Sequence, residues 1–90
     1  MMLALTGEID TANVDEVADS VREELAAGPV LLDLSELSFI DSSGLRMLAE
    51  LVRDSRDSGW SLAIGRDLSP MVRRLLEITG MLEMMPIDGA

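Results

Sequence analysis

Residues 30–45 read Val30-Leu31-Leu32-Asp33-Leu34-Ser35-Glu36-Leu37-Ser38-Phe39-Ile40-Asp41-Ser42-Ser43-Gly44-Leu45. The first five form a nearly continuous apolar run of strand length, the pattern of a strand whose two faces are both covered by helices. They are expected to be the central strand of a sheet. Residues 35–41 read as a loop, but Leu37, Phe39 and Ile40 are unusually apolar for one and are expected to fold back into the core. Asp41-Ser42-Ser43-Gly44 is a run of four turn- and cap-forming residues. From there Leu45, Leu48, Ala49 and Val52, widened by Met47 and Leu51, make the buried stripe of a helix that Ser58-Gly59 closes.

Working outward, residues 2–5 are apolar and read as a short strand, followed by the turn residues Thr6-Gly7-Glu8-Ile9-Asp10. Val14, Val17, Ala18, Val21 and Leu25 then fall at helical spacing, and Asn13 with Glu16 fits a capping box. Gly28-Pro29 ends that helix. On the other side, residues 60–64 read as a third strand. Ser69-Pro70 supplies an N-cap and a proline in the first helical position, Val72, Leu75 and Leu76 face inward, and Gly80 ends the third helix. Residues 83–85 read as a last short strand. The alternation of strand and helix predicts an α/β fold, a single layer of mixed, largely parallel sheet with helices packed on it. No internal repeat or linker interrupts it, so residues 1–90 are expected to be one domain.

Composition narrows the chemistry. The 90 residues hold no His and no Cys, and the sequence also lacks Tyr and Lys, so all seven cations are Arg. Without imidazole, thiol or amine there is no Ser/His/Asp relay, no ordinary zinc site, no Schiff base and no P-loop lysine. A domain of this size buries only about 60–65% of its unfolded surface and spares little volume for a substrate cleft. An enzyme is therefore not expected, and neither is a cofactor or a bound metal. The formal charge of −10 and the scarcity of aromatics beyond Phe39 and Trp60 disfavour nucleic acid. No stretch reaches the roughly 18 apolar residues of a membrane span, and residues 1–5 are too short and lack the basic residues of a signal peptide. A cytoplasmic protein that works on a protein partner is expected.

The charge is uneven. Residues 1–45 carry ten acids against Arg22 alone, a net of −9, whereas the second half is nearly balanced. Acids such as Asp15, Asp19, Glu23 and Glu24 suit the solvated face of the first helix, while Glu8, Asp10 and Asp41 fall in loops, where fixed charges more often serve recognition. The Asp41-Ser42-Ser43-Gly44 turn has two readings. One is capping alone, with Gly44 relaxing the turn. In the other, four capping-competent residues exceed what one cap needs, so a hydroxyl is left exposed at the helix N-terminus. A phosphate there would be favoured by free N–H groups and by the helix dipole.

Leu5-Thr6-Gly7-Glu8-Ile9-Asp10, the block from Leu31 to Leu45 quoted above, Leu68-Ser69-Pro70 and Leu75-Leu76-Glu77-Ile78-Thr79-Gly80 together resemble the bacterial anti-sigma factor antagonists, which are stand-alone STAS domains. The resemblance covers nearly the whole chain. It implies a partner switch in which the unphosphorylated protein binds an anti-sigma factor that is also a GHKL-type serine kinase, releasing a sigma factor. The kinase phosphorylates the first serine of the turn and so ends binding, and a serine phosphatase restores it. Carried onto this chain, the acceptor is Ser42, Ser43 is its neighbour and cap, Asp41 shapes the turn, and Asp10, Asp41, Ser42, Ser43 and Gly44 share the docking surface. The ATP and magnesium belong to the kinase.

Two departures and two alternatives accompany this reading. Family members have a further strand before the Leu-Thr-Gly-Glu block, and a longer tail than the one after Pro86, so the domain is expected to be short at both ends relative to the family, either as a trimmed version or because its true start lies upstream. A bare sheet edge would favour dimers, and a monomer or weak dimer is expected. The alternative function is a STAS regulatory subunit of a lipid-transport ABC complex. A nucleotide-binding STAS domain fits less well, because no glycine-rich phosphate loop is present.

Overall fold

A computed structural model describes residues 1–88. Strand β1 (Met2–Ala4) leads through Leu5-Thr6 into β2 (Gly7–Ile9), followed by helix α1 (Val14–Ala27). Then come β3 (Val30–Asp33), β4 (Leu37–Ile40), helix α2 (Ser42–Ser58), β5 (Leu62–Ile64), helix α3 (Pro70–Ile78) and a 3₁₀ turn over Met81–Met84. Three strands form a parallel sheet in the order β1-β3-β5, and β2 and β4 form a second parallel pair. The α/β architecture with a parallel sheet matches the sequence reading, and β3 is the central strand.

The core is aliphatic. Val21 of α1, Leu32 of β3, Leu51 of α2, Ile64 of β5 and Val72 and Leu76 of α3 are fully enclosed. Each such side chain contributes roughly 1.5–3 kcal/mol of transfer free energy. The helix ends follow local chemistry. Gly59 stops α2 in the left-handed region at φ 73° and donates its N–H to Ser55 O. Ser69 accepts the N–H of Val72 at 3.4 Å, with Pro70 in the first turn, where its missing N–H costs nothing.

Several expectations are corrected. Burial alternates along β3, with Val30 and Leu32 enclosed but Leu31 and Asp33 half-buried, so only one face of this strand is fully covered. The stretch over residues 6–10 is not all loop: Gly7–Ile9 is β2, and Glu8 lies in that strand. Residues 35–41 likewise contain β4. Leu37 and Ile40 do enter the core, but Phe39 is 45% exposed. The reason is a bulge: Gly7 pairs with Leu37 while Glu8 pairs with Phe39, so Ser38 is an extra residue and the alternation of faces breaks. Ser38 Oγ donates to Gly7 O at 2.9 Å across this irregularity. Residues 83–85 form no strand. The 3₁₀ turn occupies that segment, and the chain reaches the sheet two residues later, where Ile87 bridges Ile64.

Candidate functional site

Parallel pairing builds the site. Ile9 and Ile40 are register partners at the ends of β2 and β4, so the next residues, Asp10 and Asp41, emerge from adjacent strands although 31 positions apart in sequence. The Asp41 N–H donates to Ile9 O at 3.2 Å, extending the ladder by one bond and fixing where α2 begins.

Asp41 is the N-cap of α2. Its Oδ1 accepts the N–H of Ser43 at 3.0 Å, the N–H of Gly44 at 3.1 Å and the hydroxyl of Ser43 at 2.5 Å. The Ser43 hydroxyl first, then the Gly44, Ser43 and Thr11 N–H groups, hold the Asp41 carboxyl below its ordinary value, against a smaller opposing effect of desolvation. Ser43 was expected to cap the helix; instead it donates to the residue that does, because a carboxylate is the stronger acceptor.

The loop before α1 is closed by its own hydrogen bonds. Asp10 Oδ1 accepts from the Ala12 N–H at 2.9 Å, and Asn13 Oδ1 accepts from the Asp10 N–H at 3.0 Å. Asn13 Nδ2 donates to Glu8 O at 2.8 Å. The expected Asn13–Glu16 capping box does not form: Asn13 makes no side-chain cap bond to α1, since both ends of its amide face backward onto the strand exit.

Gly44 serves packing. Its backbone is not in the left-handed region, so the expected relaxation of turn geometry is not its role. A Cβ there would overlap Ile40 Cγ1 and come within 2.9 Å of Ile40 Cδ1 and 3.1 Å of Ile9 Cγ2. The first turn of α2 thus lies directly on the ends of β2 and β4.

The remaining residue is Ser42. It is the first residue of α2 and is exposed, and its hydroxyl makes no hydrogen bond among the described residues. The predicted residues therefore converge: Asp10, Asp41, Ser42 and Ser43 share one corner, with Gly44 buried beneath them. Among the described residues no three acidic side chains gather as a metal-holding group. A hollow of about 580 Å³ lies elsewhere, lined by Arg66, Leu68, Arg73, Leu82 and Ile87 among others, and none of the corner residues borders it. Sequence reasoning read Asn13 only as half of a capping box, although its Asx-type spacing from Asp10 is the available signal for the bond it makes there. It also passed over Arg46, four residues after Ser42 on α2.

The STAS domain family matches residues 1–89. Osmosensory protein A of Mycobacterium tuberculosis (strain ATCC 25618 / H37Rv) is 41% identical over 64 residues, which are 68% of this chain and 40% of that protein. The anti-sigma F factor antagonist of Paenibacillus polymyxa is 31% identical over 97% of this chain and 76% of its own. The putative anti-sigma factor antagonist BtrV of Bordetella bronchiseptica (strain ATCC BAA-588 / NCTC 13252 / RB50) is 29% identical over 100% of this chain and 78% of its own. The chain thus spans under half of the first relative and about three quarters of the other two. Unphosphorylated SpoIIAA, an anti-sigma factor antagonist, superposes with a TM-score of 0.75 at 21% identity, over 97% of this chain and 77% of its own. Phosphorylated SpoIIAA, a Bacillus cell fate determinant, gives 0.69 at 20% identity, over 97% of this chain and 80% of its own. On the match over residues 1–89 and the full-length likeness to named antagonists, the chain belongs to the STAS domain family and is a relative of the anti-sigma factor antagonists.

Proposed function

We propose that this chain is an anti-sigma factor antagonist of the partner-switching kind, one domain over residues 1–90 with Ser42 as its phosphorylation site. The observation that carries the proposal is the division of labour in the turn. Ser43 spends its hydroxyl on Asp41, and Asp41 spends its carboxylate on the cap, while Ser42 Oγ stands exposed and unbonded among the described residues. The unphosphorylated corner of Asp10, Asp41, Ser42 and Ser43 docks on an anti-sigma factor with GHKL-type serine kinase activity, which frees the sigma factor; Gly44, expected on the docking surface, is buried and serves it only by seating the first turn of α2. The chain is substrate and binding module, with no catalysis of its own and no cofactor.

In the kinase reaction Ser42 Oγ forms a bond to the γ-phosphorus of ATP as the bond to the β,γ-bridging oxygen breaks. ADP leaves, and the hydroxyl proton passes to a base on the kinase. The product carries about −1.5 to −2 of new charge, next to Asp10 and Asp41. A partner shaped for a serine hydroxyl meets a bulky dianion, and a loss of 1.4 kcal/mol already weakens binding tenfold. Nothing in the core has to move to accept the group at Ser42, and the same fold exists for SpoIIAA in its phosphorylated form. A serine phosphatase reverses the change. A cytoplasmic site of action fits the described residues, none of whose helices is long and apolar enough to cross a membrane.

The deciding experiment incubates the chain with its cognate kinase and ATP. One phosphate is expected, on Ser42, absent in Ser42→Ala. The unphosphorylated and phosphorylated chains are then titrated against the anti-sigma factor at fixed salt. Phosphate on Ser43, or equal affinity of the two forms, overturns the reading.

A further inference from the structure

We infer that Arg46 is the internal counter-ion of the phosphate carried by Ser42, donating to its oxygens, so that one modification both adds a dianion to the docking corner and withdraws a cation from it. The inference rests on the proposed phosphorylation of Ser42. Both residues lie in α2, four apart, and both are exposed. Residues at this spacing share a helix face with about 5–6 Å between Cβ atoms, and an acid placed N-terminal to its base is the favourable order. A guanidinium presents paired N–H donors that match two phosphate oxygens.

Arg46 is also uncommitted. The ion pairs among the described residues are Arg22–Asp54 and Arg73–Glu77, and neither includes it. The nearby acids do not hold it. Asp54 is engaged by Arg22 through Nε and Nη2, and the Asp41 carboxylate accepts from the turn. Asp15 and Glu50 border the same cleft of about 300 Å³ between α1 and α2 as Arg46, yet neither comes within the 4.0 Å of an ion pair. Within residues 1–45 the single cation is Arg22, which faces Asp54. Arg46 is therefore the free cation closest in sequence to the turn. Before phosphorylation it is available to a carboxylate of the partner, and afterwards it faces the phosphate in cis.

The test needs no kinase. Phosphoserine is placed at position 42 of the full chain during translation, and the second pKa of its phosphate, ordinarily about 6, is followed by ³¹P NMR. Arg46→Gln is expected to raise that pKa by about 0.3, a twofold rise in proton affinity and the size of one helical ion pair. Arg46→Lys should recover part of the difference. Arg53→Gln, which removes an equal charge from an exposed site on the same helix, should move the pKa by less than a third as much. Asp15, Arg22 and Glu50, which border the cleft that Ser43 and Arg46 line, and the corner residues Asp10 and Asp41 are unchanged in every variant. Equal values for the parent and Arg46→Gln, or equal shifts from Arg46→Gln and Arg53→Gln, overturn the inference while leaving the switch at Ser42 standing. A kinase that leaves Ser42 unmodified counts against the proposed function and does not touch this measurement.

Discussion

Gly44 lies against Ile40 so closely that no side chain fits between them: a Cβ would overlap Ile40 Cγ1, and Ile40 is itself 2% exposed. The contact joins the first turn of α2 to the end of β4. Gly44→Ala must push either the helix or a packed core side chain, and overpacking of this kind costs about 1–3 kcal/mol. Urea denaturation should show the loss as a lower midpoint at unchanged slope. A stability equal to the parent's would mean that α2 is seated less tightly than described.

The two serines of the turn should separate in stability before any kinase is added. Ser42→Ala removes an exposed hydroxyl with no partner among the described residues and should stay within about 0.5 kcal/mol of the parent. Ser43→Ala removes the donor to Asp41 and should cost about 0.5–1.5 kcal/mol. Equal thermal midpoints for the two variants would contradict the assigned hydrogen bonding.

Asp41 gives the domain an acid-sensitive element. Its native pKa is held below the ordinary carboxylate value by the Ser43 hydroxyl and the Gly44 N–H. Near that ordinary value the unfolded chain therefore binds more protons than the folded one. The stability contributed is complete above the unfolded pKa and is lost as pH falls through the lower, folded one. Asp41→Ala should be less stable than the parent at pH 7, and the gap should narrow as pH drops below about 4. A gap that stays constant from pH 7 to pH 3 would remove the carboxylate from this role.

Ser55 offers a gain. It is 4% exposed on the inner side of α2, and its Oγ has no hydrogen-bond partner among the described residues. An unpaired buried hydroxyl is a burden of about 1–3 kcal/mol, so Ser55→Ala should be neutral or stabilising by up to roughly that amount. A clear destabilisation on urea titration would show that the hydroxyl is satisfied in solution.

The readability of the chain differed from place to place for physical reasons. All three helices were legible, because each carries an apolar stripe at helical spacing and a glycine just past its end. The central place of Val30–Asp33 was legible from its apolar run, although only one face of the strand is fully covered. The strands β2 and β4 were hidden because each has three or four residues, and the bulge at Ser38 destroys the period of two on which strand reading depends. The turn was legible as a motif, but its roles were not. Four polar residues can cap in several ways, and only the position of Asp41 at the end of β4 decides that the carboxylate caps while Ser43 donates. Asn13 misled for a similar reason: a capping-box spacing says nothing about a carbonyl of Glu8 that the fold brings within 2.8 Å.

The bond from the Asp41 N–H to Ile9 O joins two parts of the chain that meet only when β2 and β4 pair. A synthetic peptide spanning residues 36–48 would carry every letter of the turn and lack the neighbouring strand that orients it. A ligand or enzyme that demands the seated geometry of Ser42 is thus a conformational sensor, blind to nascent, truncated or unfolded copies, and its signal counts only molecules that have completed their topology.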